Sequence, residues 1–321
     1  MNIQCFAVTE DEMFILPDAK AGDIKLYNNR GKLMKIWGRR GPGPDEFGSP
    51  FFCDYKNSTY IHLDAGKNTI SIYKRIEPLK FARLHELLCP GCLSDVRLFK
   101  DGVLIDSYAI DSNGNEFSLY FKNFEGEKTH HILPLYLKYG FESENQYKTN
   151  FNDISPIGVF AYFSIWDNFI FYVWEGRLKI LKINLGTKRI EVFGQETKNY
   201  IRPKVTKGIL EARRKRKGEI ESKEKEKMSW IRGVNANKNI IFLYYVNFNK
   251  EMSLWEAFLQ FYDHAGKLLH EQRLNEAVSY LRYGPPLFYS QSNNRIYLLS
   301  RRLNKENYLD EYEVLKYKID K

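Results

Sequence analysis

Hydrophobic and polar positions alternate along most of the chain, the period of two that puts successive side chains on opposite faces of a strand. The alternation is sharpest in "IKLYNNRGKLMKIWG" (24–38) and "LQFYDHAGKLLHEQRL" (259–274). Each reads as a strand ending in Tyr, a glycine four positions after that Tyr, then Lys-Leu and a second strand, which predicts a hairpin. Looser copies are "ISIYKRIEPLKFARL" (70–84), "FSLYFKNFEGEKTHHIL" (117–133) and "LKILKINLGTKRIEVFG" (178–194), with a half copy, "YEVLKYKID", at 312–320. Before each stands a shorter, more apolar run: "MFILPD", "YIHLD", "GVLIDS", "NFIFYVW", "IIFLYYV" and "RIYLLSR". These runs predict inner strands.

A further strand and turn precede the inner run, as in "FFCDYKNSTYIHLD", so each unit holds about four short strands. Four strands repeated at roughly 40–50 residues is the pattern of a β-propeller blade. A blade cannot bury both faces alone, so neighbours stack radially around a channel and closure of the ring removes the exposed edges; a large β-sandwich or two separate β domains are the alternatives. The expectation is an all-β, six-bladed β-propeller with four-stranded blades, forming a single domain over residues 1–321. The stretch from about 198 to 229 breaks the strand rhythm and is rich in helix formers, which predicts a charged, partly helical insertion between blades four and five. The sixth unit runs out after its third strand, while the N-terminal "IQCFAV" is already used in the first blade. An upstream closing strand is therefore expected to be missing, with Met1 a late or truncated start. The alternative is a three-stranded last blade whose edge is blunted by charge.

The segment "GRRGPGPDEFGSPFF" (38–52) crowds glycine and proline before a run of aromatics. Such a segment suits a chain that leaves the outer strand of one blade and crosses to the next. From "IWGRRGPGPDEFGSP" through "YIHLDAGKNTISIY" the chain resembles an NHL-type repeat. It is more similar still to the bacterial six-bladed β-propeller proteins, whose glycine-proline-glycine-acidic-aromatic crossing is matched by Gly41, Pro42, Gly43, Glu46 and Phe47. It departs from the NHL pattern in "FFCDY", where a glycine-led strand would stand. A rigid disc of this kind, with loops at its crossing face, is expected to be a binding or scaffold protein that presents a loop face or central funnel to a protein, peptide or carbohydrate, and Arg39, Arg40, Asp45 and Glu46 in the crossing loop are its candidate contacts. Relatives of this kind carry an upstream strand and an export signal, which implies a periplasmic or cell-surface location. Lyase-type and gluconolactonase-type propellers also resemble this pattern and hold a metal at the channel mouth. A metal-dependent hydrolase or lyase with Ca or Zn is thus the alternative reading, with no ligand assigned.

Composition sharpens this picture in two places. The net charge is +9, and +7 of it falls between Glu196 and Arg232. A basic insertion therefore sits on a near-neutral body. Its run "ARRKRKG", with Arg213, Arg214, Lys215, Arg216 and Lys217, is a candidate RNA contact. The following "EIESKEKEK" and the lack of interleaved aromatics favour a solvated helix with internal ion pairs instead. No run of apolar residues is long enough to span a membrane, and the opening "MNIQCFAVTEDEMF" lacks the form of a signal peptide, so the chain as written is expected in the cytoplasm.

Candidate chemistry is sparse. Cys89 and Cys92 in "CPGC" fit a tight turn, a reversible disulfide or half of a zinc site, and the zinc reading lacks two further ligands. The six histidines, His62, His85, His130, His131, His264 and His270, contain no HExxH. The adjacent pair 130/131 is expected to point to opposite faces of a strand. Asp18 and Asp64 end inner strands at matched positions, where turn capping is the favoured role over aimed carboxylates. No residue set supports a catalytic mechanism.

Overall fold

The computed structural model describes residues 3, 5–92, 94–154, 160–279, 287–290, 295–303 and 310–318. Each alternating stretch forms a strand, and each predicted hairpin is the third and fourth strand of an antiparallel sheet. The first sheet runs β1 (Ala7–Val8), β2 (Phe14–Asp18), β3 (Asp23–Tyr27) and β4 (Leu33–Trp37) in simple sequential order. A short parallel pair, β5 (Arg39–Arg40) and β6 (Glu46–Phe47), follows. The second sheet is β7 (Pro50–Lys56), β8 (Thr59–Asp64), β9 (Thr69–Glu77) and β10 (Lys80–Leu88), and the third is β11 (Val96–Phe99), β12 (Gly102–Ile110), β13 (Glu116–Asn123) and β14 (Thr129–Pro134).

Two helices, α1 (Leu135–Lys138) and α2 (Glu144–Ile154), come before the fourth sheet of β15 (Ala161–Trp166), β16 (Phe169–Trp174), β17 (Ile180–Asn184) and β18 (Ile190–Phe193). The expected insertion follows as α3 (Lys207–Arg214) and α4 (Gly218–Lys225). The fifth sheet is β19 (Trp230–Ala236), β20 (Ile241–Asn249), β21 (Leu254–Tyr262) and β22 (Leu268–Ser279). A last sheet has three strands, β23 (Leu287–Ser290), β24 (Arg295–Leu303) and β25 (Asp310–Lys318).

Among the described residues, five four-stranded sheets and one of three thus stand where six four-stranded blades were expected. The half copy at 312–320 falls, as far as Lys318, in a third strand, its last two residues lying outside the described residues, and among the described residues no fourth strand pairs with it. The helices at 135–154 were also not anticipated. "LYLKYG" and "ENQYKTNFNDI" carry too little apolar periodicity to announce themselves in sequence.

The hairpin turns repeat one piece of chemistry. In the first, Asn28 Oδ1 accepts the Arg30 and Lys32 amides, and the Gly31 amide donates to Asn28 O. In the fifth, Asp263 Oδ1 accepts the Lys267 amide and Gly266 donates to Asp263 O. Gly31 and Gly266 have φ of +77° and +86°, the left-handed region in which a side chain would be strained. The Tyr-Asx-x-x-Gly spacing seen in sequence is this turn.

Contacts divide the chain into two compact units. One is Met1–Pro134 with Pro286–Tyr297 and Lys316–Asp320. The other is Leu135–Pro285 with Leu298–Leu315 and Lys321. In the first unit the inner strands bury their apolar runs in a core of Met13, Ile15, Ile24, Leu26, Phe47, Tyr55, Tyr60 and Tyr73, covered by Trp37 and Phe81. Burying each large side chain of this kind contributes roughly 1.5–3 kcal/mol. Polar ties join neighbouring sheets. Arg75 forms a two-pronged ion pair with Asp11 at 2.7 and 2.8 Å, and the Leu98 amide donates to Asp54 Oδ2 at 2.9 Å. Glu12 receives Arg295, Tyr297 and Lys316 from the last sheet.

In the second unit β15 and β16 pack against β19. The helical hairpin buries Ile209 and Ala212 of α3 and is capped by Thr206, whose Oγ1 accepts the Ile209 amide at 3.2 Å. Its two ends are pinned together: the Ile201 amide donates to Ser229 Oγ at 2.7 Å, and the Ser229 amide to Ile201 O at 2.8 Å.

Candidate binding surface

The crossing at 38–47 is a built loop. Gly38 has φ of +74°, and a Cβ there would collide with the Phe47 ring. The chain turns through Gly41–Asp45 and comes back so that Arg39 pairs with Glu46 and Arg40 with Phe47. Glu46 closes the turn from inside, accepting the Gly43 amide at 2.9 Å and Arg39 Nε at 2.8 Å. The Gly43 amide first, and then the Arg39 guanidinium, hold its carboxyl below the usual range.

Two cations outside the motif, Lys67 and Arg83, bind its backbone, and Arg40 within it reaches out to the backbone at Ala19 and Lys20. Lys67 Nζ donates to Gly43 O at 2.8 Å, Glu46 O at 2.6 Å and Pro42 O at 3.3 Å. Arg83 Nη1 donates to Pro44 O at 2.7 Å, and Arg40 Nη2 to Ala19 O and Lys20 O at 2.9 Å each. Phe47 is buried, edge-on to Trp37 at 5.6 Å and to the His62 ring at 4.9 Å. The loop is therefore fixed from beneath, while Arg39 (82% of its side chain exposed), Arg40, Pro42, Pro44 and Asp45 face solvent. Of the four expected contacts, Glu46 and Arg40 hold the loop, and Arg39 and Asp45 are its outward groups. Lys67 and Arg83 escaped sequence reading, since nothing in "GKNT" or "FARL" points to carbonyls more than 20 residues away.

The other candidates fall as follows. Asp64 is buried and accepts the Gly48, Ser49, Gly66 and Lys67 amides at 2.7, 2.8, 3.0 and 3.2 Å. Asp18 accepts the Lys20 and Ala21 amides and pairs with Lys25 at 2.9 Å. Both cap turns. Cys89 and Cys92 form a disulfide across a turn in which the Cys92 amide donates to Cys89 O, and both are buried. On β14, His130 stacks on Phe121 and His131 on Phe117. His85 stacks on Phe124, His270 on Phe261, and His264 Nε2 lies 2.8 Å from Asn237 O.

His62 is fully buried between Phe47, Tyr60 and Tyr73, with no hydrogen-bond partner for either ring nitrogen. Burial first, then the positive charges of Arg83 and Lys67, lower its pKa to about 4 against the opposing pull of Asp64. Among the described residues no three His, Cys, Asp or Glu side chains gather as a metal-ligating set.

The basic run occupies the tip of the helical hairpin, where Arg216 has φ of +53° in the turn. Arg213 pairs with Glu221 at 3.0 Å and Lys215 with Glu211 at 3.8 Å, while Arg214, Arg216 and Lys217 are exposed.

Two polar centres of the second unit were not foreseen. Glu175 is buried, accepts the Phe160 amide at 3.1 Å and lies 3.9 Å from Arg232, whose guanidinium sits 5.5 Å from the centre of the Tyr162 ring. Desolvation raises its pKa, with Arg232 opposing. An acid closing the apolar run "FYVWEG" was the available signal. Glu271 of β22 accepts Thr197 Oγ1 at 2.6 Å, Asn199 Nδ2 at 2.7 Å, Gln260 Nε2 at 2.8 Å and Tyr245 OH at 2.9 Å, so it fixes the strap that leads to the insertion.

Compared with solved structures, the chain is similar to hydrazine synthase of Kuenenia stuttgartiensis, with a TM-score of 0.51 at 8% identity over 93% of this chain and 76% of that one. It is also similar to U3-55K, with a TM-score of 0.50 at 10% identity over 92% and 72%. A streptogramin B lyase gives a TM-score of 0.47 at 12% identity over 99% and 83%. The chain folds as a β-propeller. It is an all-β propeller of four-stranded blades with few helices, five such blades rather than the six expected. At these identities the likeness is one of fold alone. The propeller matches no family model and no curated protein. No helix among its described residues is long and apolar enough to cross a membrane.

Proposed function

We propose that this propeller is a non-catalytic binding module whose 38–47 loop presents Arg39 and Asp45 to a protein or peptide partner. The observation that supports the reading is the combination of a backbone locked by Lys67, Arg83 and Glu46 with side chains left exposed above it. A loop ordered before binding loses little conformational freedom when it binds, so more of its contact energy appears as affinity. Loops on a rigid β scaffold are the usual carriers of recognition. Arginine is suited to the task because its planar fork can pair with a carboxylate or stack on a ring, and here its stem is already positioned.

The test is quantitative cross-linking and affinity capture of the native chain beside an Arg39→Ala/Asp45→Ala variant, both confirmed as folded. A partner bound directly by the native protein and weakened at least about tenfold by the double variant, a loss of about 1.4 kcal/mol, supports the assignment. Equal retention of all direct partners by the two proteins overturns it.

A further inference from the structure

The chain has four cysteines, and the fold brings them together as two pairs. Cys89 and Cys92 are already bonded. Cys5 lies just before β1, half-buried, and its Sγ is 2.9 Å from Sγ of Cys53, which is buried in the middle of β7. These two residues are 48 positions apart in sequence and meet only because the N-terminal segment packs beside the second sheet. Cys5 Sγ also lies 2.9 Å from Phe51 O. Forming a bond of about 2.05 Å requires the sulfurs to approach by less than about 1 Å. The first strand, Ala7–Val8, is held to its own sheet by only two residue pairs, so the segment carrying Cys5 gains much from a second attachment.

We propose that Cys5 and Cys53 are a second disulfide site, and that the mature propeller carries all four cysteines oxidised, with its N-terminal segment stapled to the second sheet. The oxidant is a disulfide of the glutathione or dithiol-oxidoreductase class. Cys5, the more accessible thiol, gives up its proton, and its sulfur attacks the oxidant's S–S bond, releasing one oxidant thiol and leaving a mixed disulfide on Cys5. Cys53 then loses its proton and displaces the second oxidant thiol. Two cysteine thiols are oxidised by two electrons, one oxidant disulfide is reduced to two thiols, and the protons balance. Burial keeps the Cys53 thiol protonated far above the ordinary range, so the second displacement is the slow step. The bond closes a loop that contains the whole first sheet and the 38–47 crossing. It also places maturation in an oxidising compartment, where such bonds persist.

The test equilibrates the purified full chain in a buffer of reduced and oxidised glutathione, denatures it, blocks free thiols with iodoacetamide and measures the intact mass and a non-reducing peptide map. The expected result is no alkylation, a mass about 4 Da below that of the fully reduced chain, and a linked peptide containing Cys5 and Cys53. Alkylation at both Cys5 and Cys53 with Cys89–Cys92 intact overturns the proposal. Urea unfolding of the native chain and of Cys5→Ser, each with and without reductant, gives a second readout. Loop closure predicts that the oxidised native chain has a folding constant at least about a hundredfold above that of the oxidised variant, with most of the gap lost on reduction. A gap of the same size with and without reductant overturns the staple.

Discussion

Acid should weaken the first unit through His62. The side chain is fully buried, and both its ring nitrogens lack partners. Its folded pKa of about 4 lies below the ordinary value of 6.5. The unfolded chain therefore takes up a proton between pH 6.5 and 4 that the folded chain refuses, and stability falls as pH falls through that window. Above pH 6.5 the group is neutral in both states and contributes no pH dependence. Between pH 7.5 and pH 5 the linkage amounts to about 2 kcal/mol, approaching about 3 kcal/mol near pH 4. The assay is urea unfolding at both pH values, followed by near-UV circular dichroism, on the native chain and on His62→Phe, which keeps a flat ring between Phe47 and Tyr73. The variant should lose about 2 kcal/mol less than the native chain on going from pH 7.5 to pH 5. Carboxylates common to both proteins cancel in this double difference. Identical pH dependence would refute the reading, because it would mean that His62 is protonated in the fold or solvated in a way that its burial contradicts.

Two further perturbations probe the loop and the strap. Gly38→Ala puts a Cβ against the Phe47 ring at a φ of +74° and should cost at least about 2 kcal/mol in thermal or urea unfolding, whereas Gly31→Ala, with open space around it, pays only the conformational cost of about 1 kcal/mol. Equal losses would mean that the crossing gives way easily. Glu271→Ala removes the acceptor shared by Thr197, Asn199, Tyr245 and Gln260, and should cost about 2–4 kcal/mol and raise amide exchange across 195–201. Burial pushes the Glu271 carboxyl up, but these four donors bring it below its ordinary range. Its contribution is accordingly present above the unfolded pKa and fades as pH falls through the folded one, a loss that the Ala variant should not show.

The strands, the helical insertion and their local chemistry were written in the chain itself, whereas the helices at 135–154 were not. Alternation with a period of two and Tyr-Asx-x-x-Gly turns depend on residues a few positions apart, so five hairpins, the capping of Asp18 and Asp64 and the helical break near 207–225 were legible without any fold. The glycine-proline crossing was legible as a turn for the same reason. What tertiary structure alone decided are the meetings of residues far apart in sequence: Lys67 and Arg83 with the carbonyls of the crossing, Cys5 with Cys53, Glu175 with Arg232, and Glu271 with the strap. The blade count belongs with these, since whether a strand completes a sheet depends on which edge it finds. Backbone propensity and turn chemistry act over one or two turns of chain, whereas a buried charge or thiol takes its state from whatever the packing of distant strands sets beside it.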